Sequence, residues 1–161
     1  MPETLLCYQC PVVAEWVDFN GHLRDGYYMV LFSHGVDGLM DQIGLDAAGR
    51  QATGHSLFTL EAHINFLHEV KLGAQAQVYC QLLAHDAKRM HLGLGLYLQG
   101  DDRLMAYSEQ MLLNVDMAGP RACTFAPTVM AKVQMLATAH RSLARPQYVG
   151  RAIALPPAKT P

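Results

Sequence analysis

A long stretch that is apolar on almost every side constrains this fold more than any other feature. Over residues 27–43 apolar side chains recur at helical spacing, and further ones fill the remaining faces. A helix of this kind is buried rather than laid on a surface. Gly35 and Gly38 each cost it about 1 kcal/mol of helix propensity, which predicts that the helix backbone lies close to whatever surrounds it. We expect Asp25 to cap its start and Gly44 to end it.

Strand patterns surround this helix on both sides. The region 56–116 alternates with period two in four stretches, over residues 58–66, 75–84, 90–98 and 105–115, and a Gly-Asp-Asp turn separates the last two. In the first stretch the apolar positions alternate with a polar row. Before the helix, residues 4–17 predict a strand bent or interrupted at Pro11. The polar row consists of Thr59, Glu61, His63 and Asn65.

The order of these elements predicts an α+β architecture. A single helix buried all round needs a sheet that curves around it. Long antiparallel strands wrapped on one helix describe the hotdog fold. We expect one such domain over residues 1–155, with an extra amphipathic helix over residues 127–143 outside the sheet. Residues 156–161 contain three prolines and are expected to form a disordered tail.

The composition indicates which cellular compartment and which classes of binding partner to expect. The chain has 161 residues and a net charge of −2, so it lacks the basic surface of a nucleic-acid-binding protein. No apolar run approaches the roughly 18 residues that span a bilayer, and no cationic leader is apparent. Four scattered cysteines suit a reducing cytoplasm. Because 51% of the residues are hydrophobic and 16% are charged, we expect a homodimer or a dimer of dimers.

The candidate catalytic residues lie in the turn between the first strand and the long helix. This turn runs from Asp18 to His22 and contains Gly21. A carboxylate can activate water or attack a carbonyl, and the free amides of a helix N-terminus, here around residues 25–28, can hold an oxyanion. Asp18 could equally cap its own turn, and His22 could assist it or bond to backbone. The spacing leaves these alternatives open.

The sequence Glu15-Trp-Val-Asp-Phe-Asn-Gly-His-Leu-Arg-Asp-Gly-Tyr-Tyr28 resembles the Asp-x-x-Gly-His motif of the 4-hydroxybenzoyl-CoA thioesterase-like hotdog family. Later segments, over residues 56–63 and 85–89, resemble its branch linked to carnitine breakdown, which acts on betainyl-CoA. The resemblance implies an acyl-CoA thioesterase with Asp18 as general base or nucleophile and His22 beside it. Arg24 stands where the family usually has asparagine, which bears on substrate choice.

The remaining candidates are residues for substrate binding. Aromatic side chains next to the turn could form a cage for a quaternary ammonium group, although aromatics this dense are also usual in a core. The resemblance implies that the polar row of the first long strand lies beside the partner's active site, and a solvated face is the alternative. Two basic residues could meet the CoA phosphates or form a solvated edge. The substrate-binding candidates are Trp16, Asn20, Tyr27, Tyr28, Thr59, Glu61 and His63, with Phe19 as a further cage aromatic, and the CoA-binding candidates are Lys88 and Arg89.

No metal site is expected. Cys7 and Cys10 are spaced like half of a zinc site, but no second pair follows, and an offset of three on a strand points them to opposite faces. We expect no cofactor beyond the coenzyme A carried by the substrate, and no membrane partner. Two alternatives to a thioesterase are a hotdog hydratase or dehydratase, for which His34 is available, and a non-catalytic module that binds acyl-CoA.

Overall fold

One antiparallel sheet wraps around a long central helix in the computed structural model, which describes residues 4–158. The strands follow the order β1-β3-β4-β5-β2, and the short β6 pairs with β5. No helix in the described part of the chain is long and apolar enough to cross a membrane. The strands are β1 (Leu5–Pro11), β2 (His55–Phe66), β3 (Gln75–His85), β4 (Arg89–Leu98), β5 (Asp101–Asp116) and β6 (Arg121–Ala122), and the helices are α1 (Asp25–Ile43), α2 (Ala47–Thr53) and α3 (Pro127–His140).

Helix α1 packs its apolar face into the curve of the sheet. Leu31, Phe32 and Leu39 are fully buried, in one core with the inward-facing leucines of β4. The two helix glycines permit this approach, as predicted. A Cβ on Gly35 would overlap Val78 of β3, and one on Gly38 would overlap the carbonyl oxygen of Cys7 in β1. The predicted stop at Gly44 is also confirmed, since this residue has a φ of 88° and closes the helix.

Two details of α1 differ from expectation. The helix is not buried on all sides, because Ser33, Asp37 and Asp41 follow one another at intervals of four and form an exposed stripe. The predicted cap is also wrong. Arg24 occupies the N-cap position, where its side chain makes no capping hydrogen bond to the helix, and Asp25 is the first helical residue.

The segment before α1 is a strand for only half of its predicted length. β1 ends at Pro11, and the chain then continues through a short 3-10 turn over Ala14–Trp16. Backbone pairing continues one position past Pro11, where the Val12 amide donates to the Ala74 carbonyl at 2.9 Å and the Val12 carbonyl accepts from the Gly73 amide at 2.9 Å. Helix α2 was not predicted, although its N-cap Asp46, whose carboxylate accepts from the Gly49 N–H at 2.9 Å, is a usual start signal.

Helix α3 does not lie outside the sheet as predicted. It contributes Val129 and Val133 to the core that contains α1. It also ends at His140, whose Nδ1 accepts a hydrogen bond of 2.9 Å from the Leu82 amide. That amide belongs to a part of β3 beyond its pairing with β1, which reaches only to Cys80. The end of α3 therefore covers an edge that β1 leaves open.

A bulge in β2 breaks the predicted polar row. The pairing with β5 shifts between Thr59 and Glu61, so that Thr59 lies opposite Leu112 on the helix-facing side of the sheet. Glu61 lies opposite Met111 on the outer side, and His63 follows it there. The expected single row is therefore wrong, because the extra residue moves Thr59 to the other face.

Between α3 and residue 158, the last that the structure describes, the chain forms no regular secondary structure. Residues 156–158, which belong to the predicted tail, are exposed, whereas residues 159–161 lie outside the described part.

Candidate active site

The Asp18 turn is a tight loop closed by backbone hydrogen bonds. The Asp18 amide donates to the His22 carbonyl at 2.9 Å, and the Gly21 amide donates to the Asp18 carbonyl at 2.9 Å. Gly21 has a φ of 75°, a conformation that glycine adopts at low cost. Arg24 holds the base of the loop, because its Nε donates to the Val17 carbonyl at 3.3 Å. The arginine that departs from the family pattern thus has a structural contact here.

The Asp18 carboxylate is bound on one side only. Oδ1 accepts from the amides of Asn20 at 2.9 Å and His22 at 3.0 Å. The His22 backbone hydrogen bond lowers the pKa of Asp18 more than its slight burial raises it, so the group is ionised at neutral pH. Oδ2 accepts no hydrogen bond from the residues that the structure describes. The turn-capping role of Asp18 is therefore present, and it leaves one charged oxygen for chemistry.

The His22 ring contacts a carboxylate other than that of Asp18. Its Nε2 lies 3.3 Å from Oε2 of Glu69, and its backbone pairs with Lys71. The next residue, Leu23, donates its amide to the Val70 carbonyl at 2.7 Å. These contacts join the Asp18 loop to the segment that follows β2.

The start of α1 supplies the amides that were predicted to hold an oxyanion. Two of them already have partners. The Gly26 N–H donates to the Asp25 carboxylate at 2.8 Å, and the Tyr27 N–H donates to the Arg24 carbonyl at 3.0 Å. Because the Asp25 side chain is exposed, its rotation would free the Gly26 amide. The N-terminal dipole of the helix favours negative charge at this place.

A cavity of about 290 Å³ opens beside this helix start. Tyr28 and Phe66 form an aromatic corner in its wall, with ring centroids 5.1 Å apart in an edge-to-face arrangement. The Tyr28 hydroxyl donates to the His68 carbonyl at 3.2 Å, and burial raises the pKa of Tyr28. The carboxylates of Asp25 and Glu69 complete the wall. An aromatic corner with two acids suits a cation. We call this cavity the cleft.

The predicted four-residue aromatic cage does not form as one cluster in the chain. Trp16 and Tyr27 stack with centroids 6.0 Å apart. Tyr28 instead lines the cleft, and Phe19 is 95% exposed. The second ring of the cleft, Phe66, was missed because it stands at the far end of β2, forty-eight positions after Asp18. Only the pairing of strands brings these segments together.

The candidates on β2 lie apart from the Asp18 loop. Glu61 and His63 border a different cavity on the outer face, beside a pair in which His91 Nε2 and Glu109 Oε1 are 2.7 Å apart. Burial raises the pKa of Glu109, but hydrogen bonds from the Gly150 amide and His91 outweigh it and keep the pKa below its ordinary value. Thr59 is exposed on the helix-facing side. One chain does not bring these residues to Asp18.

Lys88 and Arg89 lie at the opposite end of the sheet from the cleft. Their amides donate to the Asp86 carboxylate at 2.9 and 2.7 Å, and the Arg89 Nε donates to it at 2.7 Å. The Lys88 amide and the Arg89 side chain lower the pKa of Asp86 to about 2. Arg89 pairs with Leu113 of β5, whereas Phe66 pairs with Ala106, so seven strand residues or roughly 23 Å separate the two ends.

The position of His34 bears on the hydratase or dehydratase alternative. His34 lies nine residues into α1, roughly 14 Å from the helix start, where it packs on Tyr8. This distance does not support a joint role with Asp18.

Among residues 4–158 no group of three or more histidine, cysteine, aspartate or glutamate side chains could hold a metal ion. A reaction without metal stays a prediction.

Comparison with known proteins places this geometry in a family. The model of the thioesterase-like superfamily matches residues 12–133. A betainyl-CoA thioesterase of Pseudomonas aeruginosa is 55% identical over 159 residues, which cover 99% of this chain and 100% of the relative. An L-carnitine dehydrogenase/betainyl-CoA thioesterase of Rhizobium meliloti is 39% identical over 140 residues, which cover 87% of this chain and 28% of that longer protein.

Solved structures agree with the family match. A candidate thioesterase from Pseudomonas putida KT2440 superimposes with a TM-score of 0.85 at 45% identity, covering 98% of this chain and 99% of the other. A Staphylococcus aureus protein solved in complex with CoA has a TM-score of 0.87 at 27% identity and covers 95% and 97%. The predicted hotdog fold and the predicted thioesterase family are confirmed. The chain therefore belongs to the thioesterase-like superfamily of hotdog proteins.

Proposed function

We propose that this protein hydrolyses betainyl-CoA to betaine and coenzyme A. The observation that carries the proposal is the cleft, where Tyr28, Phe66 and two carboxylates lie beside the start of α1. Glu69 in its wall contacts His22 of the Asp18 loop. A trimethylammonium group is attracted both to aromatic faces and to carboxylates. The full-length similarity to a betainyl-CoA thioesterase, and the fusion of related sequences to an L-carnitine dehydrogenase, support the same substrate.

The reaction adds one water molecule across the thioester. In one form Asp18 takes a proton from water while the water oxygen attacks the carbonyl carbon. In the other, Oδ2 of Asp18 attacks directly, and water then hydrolyses the mixed anhydride. Both forms break the carbon–sulfur bond and release the thiol. The carbonyl oxygen, which becomes negative, would be held by the first amides of α1 once the Asp25 carboxylate moves aside.

The central experiment replaces Asp18 with asparagine. This change keeps an oxygen that can accept from the Asn20 and His22 amides but removes the charge and the basicity. We expect kcat to fall at least about 100-fold in a thiol-release assay with betainyl-CoA. The matched control is Asp46→Asn, because the Asp46 carboxylate also accepts from one backbone amide but lies at the start of α2. It should keep kcat within about twofold, since asparagine is an equally good N-cap.

The outcome separates catalysis from turn capping. Near-normal turnover in Asp18→Asn would overturn the catalytic role. A loss of activity together with a lower melting temperature would assign Asp18 to its turn alone. An unchanged melting temperature with lost turnover supports the proposal.

Substrate selectivity tests the cleft separately. The neutral isostere of betainyl-CoA is 3,3-dimethylbutanoyl-CoA, which has the same shape without the positive charge. We expect betainyl-CoA to have the higher kcat/KM by about two- to thirtyfold, the range of a cation–π contribution of about 0.5–2 kcal/mol. Equal values for the two substrates would reject a cationic acyl group as the preferred substrate and leave a general thioesterase.

We also propose that the working enzyme is a homodimer joined through β2. This strand pairs only with β5 among the described strands, and its other edge is open. Phe58, Leu60 and Phe66 are 41%, 52% and 53% exposed along it. Such an edge invites a second strand. In a two-fold antiparallel pairing, the start of the partner's β2 would lie next to the cleft end of this one.

In this dimer, candidate binding residues that lie far from the cleft of their own chain would lie near the cleft of the partner. Thr59, Glu61, Lys88 and Arg89 would approach the cleft of the other subunit. There Lys88 could meet a CoA phosphate, and Arg89 could do so on leaving its ion pair with Asp86, in which Nη2 and Oδ2 are 2.7 Å apart. Light scattering should show a dimer or a dimer of dimers, and Leu60→Lys should lower both the mass and kcat. A fully active monomer would contradict the proposal. The four free cysteines are consistent with a cytoplasmic enzyme.

A further inference from the structure

A further cavity lies on the outer face of the sheet, away from the cleft and separate from the one that Glu61 and His63 border. The segment after α3 crosses this face as a strap. Gln81 of β3 donates to the Ala144 carbonyl at 3.3 Å, and the Gly150 amide donates to the Glu109 carboxylate at 2.6 Å. Between these two attachments the strap roofs a cavity of about 250 Å³. We call it the strap cavity.

Tyrosine side chains line the strap cavity, and glycines of β4 leave space for them. Tyr79, Tyr97, Tyr107 and Tyr148 all line it. Tyr79 and Tyr97 meet edge to face with centroids 5.7 Å apart, and Tyr107 and Tyr148 also lie 5.7 Å apart. A Cβ at Gly93 of β4 would overlap the Tyr107 hydroxyl, so this ring lies over a position without a side chain.

Two polar atoms in this wall, Thr4 Oγ1 and the Tyr107 hydroxyl, lack a hydrogen-bond partner in the described part of the chain. Tyr107 is only 5% exposed, and its hydroxyl is buried without a hydrogen bond to any residue in the described part of the chain. Burial raises the pKa of Tyr107, so the hydroxyl keeps its proton and remains a donor. A buried donor without an acceptor costs free energy, and a ligand that brings an acceptor recovers it.

Charges of both signs lie near the strap cavity, because, beside the larger effect of burial, Glu109 raises the pKa of Tyr107 and Arg145 lowers it. The side chains that line the strap cavity are neutral. Glu109 lies directly opposite Gly93 in the register, on the same face, and its lowered pKa keeps it ionised. The guanidinium of Arg151, which does not line the strap cavity, lies over the Tyr148 ring, 5.9 Å from its centroid, so one tyrosine of the wall already contacts a cation.

We propose that the strap cavity binds a small zwitterion that carries both a quaternary ammonium group and a carboxylate. The tyrosine faces receive the ammonium group, and the Tyr107 hydroxyl donates to the carboxylate. A volume below the usual 300–1,000 Å³ of drug-sized pockets, about 250 Å³, suits a molecule of this size. The choice of betaine as the probe rests on the proposed function, because betaine is the product of that reaction. The properties of the strap cavity itself do not depend on it.

The test is titration calorimetry of the full chain with betaine and with its neutral isostere, 3,3-dimethylbutanoate. We expect saturable binding of betaine, about two- to thirtyfold tighter than the isostere. Tyr107→Phe, which removes only the hydroxyl, should weaken both ligands about tenfold or more. Tyr97→Leu should remove the preference for betaine. Tyr8→Phe is the matched control, since Tyr8 packs on His34 outside the strap cavity and should leave binding unchanged.

Several results would overturn the inference. They are the absence of saturable binding, equal affinity for the two ligands, or betaine binding that Tyr107→Phe does not weaken, as expected if betaine occupies only the cleft. The assay requires no turnover, so its failure is distinct from failure of the proposed function. Betaine binding that follows this pattern in a protein unable to hydrolyse betainyl-CoA would still support the strap cavity.

Discussion

Replacing Gly38 with alanine tests whether α1 and β1 are held as closely as the structure shows. The added Cβ would overlap the carbonyl oxygen of Cys7, which is backbone and cannot rotate away. The helix must therefore move from the strand. That movement also strains the neighbouring hydrogen bond of 3.2 Å from the Gln42 side chain to the Leu6 carbonyl.

The size of the effect follows from two opposing contributions. Alanine gains up to about 1 kcal/mol over glycine in helix propensity. Overpacking costs about 1–3 kcal/mol or more, and contact with backbone places Gly38→Ala at the upper end. We expect a net loss of about 2 kcal/mol in the free energy of unfolding. Gly26→Ala is the matched control in the same helix, because a Cβ there meets no atom within 4 Å. It should be neutral or slightly stabilising.

Thermal unfolding at one fixed protein concentration measures both variants. For a domain of this size 1 kcal/mol shifts the melting temperature by about 2–4 °C, so Gly38→Ala should melt about 4–8 °C below the wild type. Gly26→Ala should melt at the wild-type temperature or up to about 4 °C above it. If Gly38→Ala melts as high as Gly26→Ala, the close approach of helix and strand is refuted.

Three further predictions concern protons and metals. Burial lowers the pKa of His140 below 6.5, so the unfolded chain takes up the proton first. The free energy of unfolding should therefore fall as pH drops below about 6.5, and urea titrations should show a smaller fall in His140→Gln. Because the pKa of Asp18 lies below 3.8, kcat/KM should show no acid limb from this group above about pH 4. Activity should survive EDTA, and loss that zinc restores would contradict hydrolysis by protein groups alone.

Much of the architecture was predictable because local periodicity encodes it. The apolar pattern over residues 27–43 identified α1, and the two glycines within it predicted its contact with strands. Period-two alternation found the four long strands. The family could be recognised from the Asp-x-x-Gly-His motif. The residues of this motif themselves determine the conformation of the turn that they form. Gly44 marked the helix end for the same local reason.

Other features arise only when distant segments meet in the folded chain. The bulge that moves Thr59 to the helix-facing side depends on pairing with β5. The cleft joins Tyr28 of α1 to Phe66 at the end of β2, and the strap cavity joins three strands to the chain beyond α3. None of these juxtapositions has a periodic signature, since each depends on strand order and register. Sequence periodicity therefore determined the elements and the motif, whereas tertiary packing decided which side chains share a cavity.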